Sequence, residues 1–501
     1  MKLMKTITAT VAAVALTLTA VPMAASAAGK GDFDQNSRLD TNDVRKLMNT
    51  LAKGEGYTKT QMLWADFDFD SKLSTSDARQ LLSAVMMDSL TPVTNYAKPT
   101  GEDWWGENAV ALLGDSISWG AGTECSSVNS NPALSVGGIP EQSYVSYVKK
   151  AIQNANGGKM NYGFTSAYPT GWAGNYNGRS EELHGWPTRD NDSNGDTAWV
   201  CDNNDDGNRL MSIGFTCVTP WKTMTYQPRK DYYSKYSYFC VYYDAVDNGA
   251  SFCIANGSGG EVADVNGSKT YVSTKSDVRV TKRTAFYKLS DCPKDSNGIP
   301  KIIICHDGTT NPVTITGIGY YKALPKAGNA DGYVTFNSYS RGGAMLSKLS
   351  YTVLEQAAKA DTLIMSLGFN DACWGANSGC SREDFLDRID FLIEKCNENG
   401  TQVVVNDFTW SNYKTVSPYT GWNASMQAEL DWRFENFSKA LKRLAKETGG
   451  VYVDHEAILG SDVIIPLLPD TVHPNAEGHK LIGQNVIAAL GLSDYYTTSW
   501  K

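Results

Sequence analysis

The stretch AVALLGDSISWG, Ala109 to Gly120, runs from an apolar segment straight into Gly114, Asp115 and Ser116, with Gly120 four residues after the serine. An apolar strand that ends in this way sets a small hydroxyl at the mouth of a sheet. A serine hydroxyl is a poor nucleophile until a base removes its proton, and histidine is the side chain suited to that task. The chain has 5 histidines. His184 and His306 fall in a β-patterned middle region, His455 follows a strand-like run, and His479 sits in a helical pattern. His473 differs, because Asp470 stands three residues before it in PDTVHPNAEGH. On one turn that spacing lets a carboxylate accept the imidazole Nδ1–H and leaves Nε2 for a serine. Ser116 as nucleophile, His473 as base and Asp470 as its orienter form the expected catalytic set.

Two further pieces could meet at the same mouth. SLGFND ends an apolar run at Gly368 to Asp371, where the Asn370 amide can donate a hydrogen bond. In SYSRGGAMLSKL, Gly342 precedes a helical pattern, and a glycine there can turn its backbone N–H toward a developing oxyanion. Gly163, in MNYGFTSAY, is the alternative glycine; Gly342 is preferred because it leads directly into the helix before the Asn370 strand. Trp119 and Trp374 either flank an acyl or sugar site or pack in the core.

In chain order, Gly114-Asp115-Ser116, Gly342, Gly368-Phe369-Asn370-Asp371 and Asp470-Thr471-Val472-His473-Pro474 resemble the four motifs of the SGNH, or GDSL-type, hydrolases. The resemblance covers most of Ala109 to Leu490. It implies a flavodoxin-like three-layer α/β sandwich and an ester hydrolase with no catalytic cofactor. It also implies an oxyanion hole made by the Ser116 and Gly342 N–H groups and the Asn370 side chain.

The elements that must position these residues follow the same pattern. TLIMSL, TQVVV and VYV read as buried strands alternating with helical segments. One such helix, SREDFLDRIDFLIEKCNENG, opens on a capping Ser381 and closes at Gly400. That alternation predicts a parallel sheet covered on both faces, with reactive groups at the carboxyl ends of its strands. MLSKLSYTVLEQAAK is expected to be one helix with Leu346, Leu349, Val353 and Ala357 on one face. The hydrolase domain is expected over 109–495. Within it, 168–330 breaks the rhythm with short β-type runs such as YSYFCVYYD and KIIIC between turn signals, which predicts an inserted antiparallel β-sandwich. DNDSNGD, Asp190 to Asp196, reads as an Asx-rich turn in preference to a calcium loop, since Cys201 stands where a twelfth-position carboxylate is needed.

Toward the amino end, DFDQNSRLDTND (Asp32 to Asp43) and DFDFDSKLSTSD (Asp66 to Asp77) repeat with a period of 34 residues. Asp32, Asp34, Asn36, Asp40 and Asp43 in the first, and Asp66, Asp68, Asp70, Ser74 and Asp77 in the second, occupy loop positions 1, 3, 5, 9 and 12. Oxygens at that alternation converge on a hard cation such as Ca²⁺, with Arg38 or Lys72 at position 7 offering a backbone carbonyl. The tandem resembles a small all-α type I dockerin, which implies two structural calcium ions and a cohesin of a scaffoldin as partner. In that family, positions 10 and 11, here Thr41 with Asn42 and Thr75 with Ser76, help choose the cohesin. The module is expected over 28–88, with a linker at 89–108 that carries Trp104 and Trp105.

Bulk properties bound the partners. Net charge is −9, which argues against nucleic acid. The chain opens with Lys2, Lys5, an apolar stretch and Ala25-Ser26-Ala27, a pattern that reads as a secretory signal over 1–27. No later stretch is long and apolar enough to span a bilayer. Export permits disulfides among the 10 cysteines; Cys373 and Cys380 could clip one loop, while the pairing of Cys201, Cys217, Cys240, Cys253, Cys292 and Cys305 stays open. The expectation is a secreted, extracellular cellulosomal esterase that removes acetyl or other acyl groups from a plant polysaccharide such as xylan. The rival readings are an acyltransferase on the same fold and an inactive carbohydrate-binding protein.

Overall fold

The apolar runs that open with AVALL form parallel strands in the structure, a computed structural model that describes residues 33, 41–58, 61, 65, 72–87, 109–120, 143–166, 188–196, 198–201, 214–227, 235–267, 270–277, 280–324, 332–340, 343–373, 381–407 and 423–498. The expected leader 1–27 and linker 89–108 lie outside these residues, as do Gly342, His184, Trp374, Cys380 and the loop ligands Asp32, Asp34, Asn36, Arg38, Asp40, Asp66, Asp68 and Asp70. The chain divides into two units, residues 2–96 and 97–501.

In the first unit the two acidic repeats give two helices, Thr41–Lys53 and Thr75–Met87, each starting at loop position 10. They pack around a core of Phe33, Leu47, Ala65, Leu73, Ala78 and Leu81. Leu47 and Leu81 are equivalent in the two repeats, and so are the fully buried Asp43 and Asp77. Asp77 accepts the Ser74 N–H at 2.7 Å, and the Ser74 hydroxyl accepts the Ser76 N–H at 3.0 Å, which closes the turn into the second helix.

Among its described residues the second unit holds seventeen strands. They are β1 (Ala109–Gly114), β2 (Met160–Ser166), β3 (Thr188–Arg189), β4 (Val200–Cys201), β5 (Phe215–Cys217), β6 (Thr223–Tyr226), β7 (Tyr238–Ala245), β8 (Ser251–Ala255) and β9 (Glu261–Val262). They continue as β10 (Tyr271–Ser273), β11 (Val280–Lys288), β12 (Ile302–His306), β13 (Val313–Tyr321), β14 (Val334–Ser340), β15 (Thr362–Ser366), β16 (Gln402–Asp407) and β17 (Val451–Asp454). Six of them run parallel in the order β2-β14-β1-β15-β16-β17. Val403, Val404 and Val405 of β16 are all fully buried, and successive strand residues point to opposite faces, so both faces of this sheet are covered. The helices Tyr144–Ala155 and Ala476–Ala489 pack together as one group. The helices Tyr351–Ala358, Arg382–Asn399 and Ala424–Glu447 form another. Ser381 caps Arg382–Asn399 in a reciprocal box with Asp384, and Gly400 ends it in the left-handed conformation.

The middle segment joins this sheet through its main chain. β13 lies antiparallel to β2, and β7, β11, β5 and β4 extend the same sheet beyond it. A second, six-stranded sheet of β10, β8, β12, β6, β3 and β9 faces that extension. Phe239, Val241, Tyr243, Ile315 and Tyr320 from one sheet and Phe252, Ile254, Ile302 and Ile304 from the other share one buried cluster. Asp192 Oδ1 accepts the N–H groups of Asn194 and Asp196 at 2.8 and 3.0 Å, the Asx turn expected of that acidic run.

Two local expectations differ from the structure. MLSKLSYTVLEQAAK is not one helix: a 3₁₀ turn at Leu346–Lys348 is followed by an extended Leu349, and the helix starts at Tyr351 behind the cap Ser350. The Asp371 carboxylate accepts the Leu346 and Ser347 N–H groups at 2.8 Å each and caps the first turn, while Ser350 starts the helix as a separate element. Cys373 is a buried free thiol, not half of a clip with Cys380. Among the described residues no helix is long and apolar enough to cross a membrane.

Candidate active site

The nucleophile turn is built by two glycines and an aspartate. A Cβ on Gly114 would sit 2.3 Å from the Ser118 side chain, so only glycine lets the chain fold back tightly at the end of β1. Asp115 caps the turn Ser116–Trp119 by accepting the Ile117 N–H at 2.9 Å, and Gly120, at φ +97°, closes it. Ser116 stands at the first position of that turn, partly open to solvent.

The structure brings the three expected catalytic residues together. Ser116 Oγ lies 2.8 Å from His473 Nε2. His473 Nδ1 lies 2.6 Å from Asp470 Oδ2, and the other Asp470 oxygen accepts the His473 and Val472 N–H groups at 2.6 and 3.0 Å. Burial alone would push the Asp470 carboxyl up; its hydrogen bonds to His473 and that ring's charge outweigh this and hold it at about 2. Between them Thr471 adopts φ +70°, costly for a β-branched residue and of a kind that persists where the surroundings demand it.

The remaining site residues sit as follows. β14 lies beside β1 with Ser340 opposite Gly114, so β14 ends level with the turn that carries Ser116. Asn370 is the second residue of the short helix Phe369–Cys373 after β15; its amide donates to Ala344 O at 3.1 Å and lies 3.4 Å from Asp115 Oδ2. Asn370 therefore ties the stretch after Gly342 to the nucleophile turn. Gly163 lies inside β2, where a side chain would meet Asn337 Oδ1 at 2.1 Å. His306 is buried between the carbonyls of Asp307 and Asn311, at 2.7 and 2.8 Å, away from any catalytic partner. Among the described residues no group of three His, Cys, Asp or Glu side chains stands together as a metal site.

Sequence reasoning passed over two carboxylates and a network. Asp115 is fully enclosed, and burial raises its carboxyl to about 7 against the pull of the Ile117 N–H and His473. Asp371 is also buried and raised by burial, opposed by its bonds to Ser347 and Leu346. Both were legible only as motif letters. Beneath the site, Ser118 Oγ lies 2.6 Å from Tyr144 OH, which donates to Ser366 Oγ at 2.8 Å. Asn406 Nδ2 also donates to Ser366 Oγ, at 3.1 Å. Its Oδ1 meets His455 Nε2 at 2.5 Å, and Asn485 Nδ2 lies 3.0 Å from His455 Nδ1. Burial holds His455 neutral, with its pKa lowered to about 3. One residue after β17, His455 thus anchors a buried network.

Residues 316–481 match the GDSL-like Lipase/Acylhydrolase family, a span that holds Gly342, Asn370, Asp470 and His473 and begins after Ser116. No curated protein matches the chain. A putative GDSL-like lipase from Parabacteroides merdae is 17% identical over 31% of this chain and 73% of its own, with a TM-score of 0.22. The lipase Lip_vut3 from a goat rumen metagenome is 17% identical over 31% and 79%, also with a TM-score of 0.22. The family 11 carbohydrate-binding module of a Clostridium thermocellum cellulosomal cellulase is 14% identical over 33% of this chain and 98% of its own, with a TM-score of 0.18.

Two predictions follow from the site's electrostatics. Asp470 is lowered from 3.8 to about 2, so its contribution to stability is full above the ordinary value and is lost as pH falls through about 2. Urea unfolding of Asp470→Asn beside the parent protein is expected to show a stability gap that is constant from pH 5 to 7 and closes toward pH 2. A gap independent of pH would contradict the ion pair. Tyr144→Phe leaves Ser118 and Ser366 each short of a buried partner and is expected to cost about 1–3 kcal/mol in the same assay.

Proposed function

We propose that this chain is a serine ester hydrolase that removes acetyl groups from a plant polysaccharide. The observation that carries the reading is the unbroken line Asp470–His473–Ser116, with contacts of 2.6 and 2.8 Å, at the carboxyl end of β1. His473 Nε2 takes the Ser116 proton as Oγ attacks the ester carbonyl. The oxyanion forms where the Ser116 and Gly342 N–H groups and the Asn370 amide can meet it, each such donor being worth about 10²–10³ in rate. His473 then gives the proton to the departing sugar hydroxyl, and water repeats the sequence to free acetate.

The finer reading joins two parts of the chain. The tandem acidic loops support a calcium-bound dockerin that plugs a secreted enzyme into a cohesin, and enzymes so assembled act on plant cell walls. The donor set of those loops is all oxygen, as calcium prefers, and the buried Asp43 and Asp77 occupy equivalent last positions. The same reading takes 168–330 as a β-sandwich module within a three-layer hydrolase.

A second reading has its own support. Ile458, Val463 and Ile465 are 56%, 44% and 48% exposed in the segment that leads into Asp470. Exposed apolar side chains this close in sequence to Asp470 favour a longer acyl chain over acetyl.

Acetate release from acetylated xylan, measured beside hydrolysis of p-nitrophenyl acetate and p-nitrophenyl laurate, separates these readings. Acetylated xylan and the acetate ester are expected to be cleaved, with Ser116→Ala slower by at least about 10³-fold. A strong preference for laurate would favour the second reading, and equal rates for Ser116→Ala would remove the triad. Calorimetric titration of the chelator-treated full chain is expected to find two calcium sites, one lost in each of Asp43→Ala and Asp77→Ala. No calcium uptake would remove the docking module.

A further inference from the structure

The cysteines of the middle segment are not equivalent. β8 and β12 are antiparallel neighbours in the six-stranded sheet, and their register sets Cys253 directly opposite Cys305. Phe252, Ile254, Ile302 and Ile304 of these strands point into the shared core, so the two cysteines project together from the other face. There Tyr271 of β10 flanks Cys253, and Thr223 of β6 flanks Cys305. Directly opposed residues of an antiparallel pair have Cα atoms about 4.5–5.5 Å apart, inside the range that a disulfide spans without backbone movement. Both residues are free thiols.

Their surroundings divide the roles. Cys253 is 3% exposed, whereas Cys305 is half-buried and reachable from solvent. The Cys253 S–H bonds to the Cys305 sulfur and holds the Cys305 thiol below its ordinary range, against its partial burial and the nearby Asp190, Asp307 and Glu261 carboxylates. The same contact, with burial, holds Cys253 above that range. A more exposed sulfur with the lower pKa is the attacking partner in thiol–disulfide exchange, and a buried neighbour resolves the mixed disulfide. The buried Cys240, Cys292, Cys373 and Cys396 have thiols raised chiefly by burial.

We propose that Cys253 and Cys305 form a redox-active cross-strand dithiol that a low-molecular-weight disulfide converts into a disulfide bond. The Cys305 thiolate attacks one sulfur of the oxidant, forming a mixed disulfide and releasing one small thiol. Cys253 then loses its proton and attacks the Cys305 sulfur, which releases the second small thiol. The protein pair loses two electrons and two protons, and the small disulfide is reduced to two thiols. The new bond staples β8 to β12 and encloses the chain that forms β9, β10 and β11, so it locks two central strands of the six-stranded sheet. This site is independent of the esterase reading.

The test uses the folded full chain and oxidised glutathione. After exposure, remaining thiols are alkylated in denaturant and the digest is mapped by mass spectrometry. The expected product is a peptide pair linked through Cys253 and Cys305, lighter than the two free peptides by two hydrogens. In Cys253→Ser the resolving thiol is gone, so Cys305 is expected to retain a glutathione adduct. In Cys305→Ser the adduct on Cys253 is expected to be lower by at least about tenfold. Alkylation of both cysteines in the oxidised parent protein, or linkage of Cys305 to Cys217, would overturn the proposal. The parent protein's map decides even where a variant fails to fold.

Discussion

A buried hydrogen-bonded chain from Ser118 to Asn485 is the constraint on which the catalytic rim depends. Its donors and acceptors fit in one sense only. A neutral His455 carries one ring proton; with Asn485 Nδ2 donating to Nδ1, that proton is on Nε2 and points at Asn406 Oδ1. The Asn406 amide then donates to Ser366, Tyr144 donates to the same oxygen, and Ser118 is left to donate to Tyr144. The chain crosses the carboxyl ends of β1, β15, β16 and β17, which are neighbours in that order. A shift of one strand end along its axis would strand a polar group in a dry interior, at a cost of about 1–3 kcal/mol per group. The loops above are therefore mounted on ends whose relative heights are fixed.

That mounting lets two carboxylates near one imidazole be pushed in opposite directions. Asp470, on an exposed loop, is held at about 2 by its hydrogen bonds to His473 and that ring's charge. Asp115, enclosed at the end of β1, is raised to about 7 because burial outweighs the same imidazole's attraction. The first holds the His473 ring and its N–H; the second caps the turn that carries Ser116 and meets the Asn370 amide. The left-handed backbone of Thr471 belongs to the same arrangement, since Asp470 folds back onto the N–H groups of Val472 and His473.

What the sequence made legible was whatever is local. Asp470 and His473 share one turn, Ser116 ends an apolar run, and Ser381 and Gly400 bracket a helix, so spacing alone sufficed. The two acidic repeats were legible because a duplication marks itself. The split of the stretch from Leu346 to Ala358 into a 3₁₀ turn and a later helix was not, because the Asp371 carboxylate that caps the first turn reaches it across a buried contact. The Tyr144–Ser366–Asn406–His455 network was not legible either. Its members come from four elements, and each taken alone reads as an ordinary polar residue. Gly163 reads as a candidate oxyanion glycine because a packing glycine and a functional one have the same signature in one dimension; in three it packs against Asn337, while Gly342 lies outside the described residues.

The way the β-rich segment joins the parallel sheet follows from sheet geometry. β2 and β14 are parallel neighbours, and parallel neighbours cannot be joined by a tight turn; the chain must leave one end of the sheet and return to the other. In most α/β sheets a helix makes that crossover. Here β3 to β13 make it, and the last of them, β13, pairs antiparallel with β2 and covers what would otherwise be an exposed edge. The segment is held to the catalytic sheet by main-chain hydrogen bonds, which a flexible tether would not provide. Residues 167 to 333 thus separate Ser116 from Asn370, Asp470 and His473 in sequence, while β14 beside β1 keeps the strand ends adjacent in space.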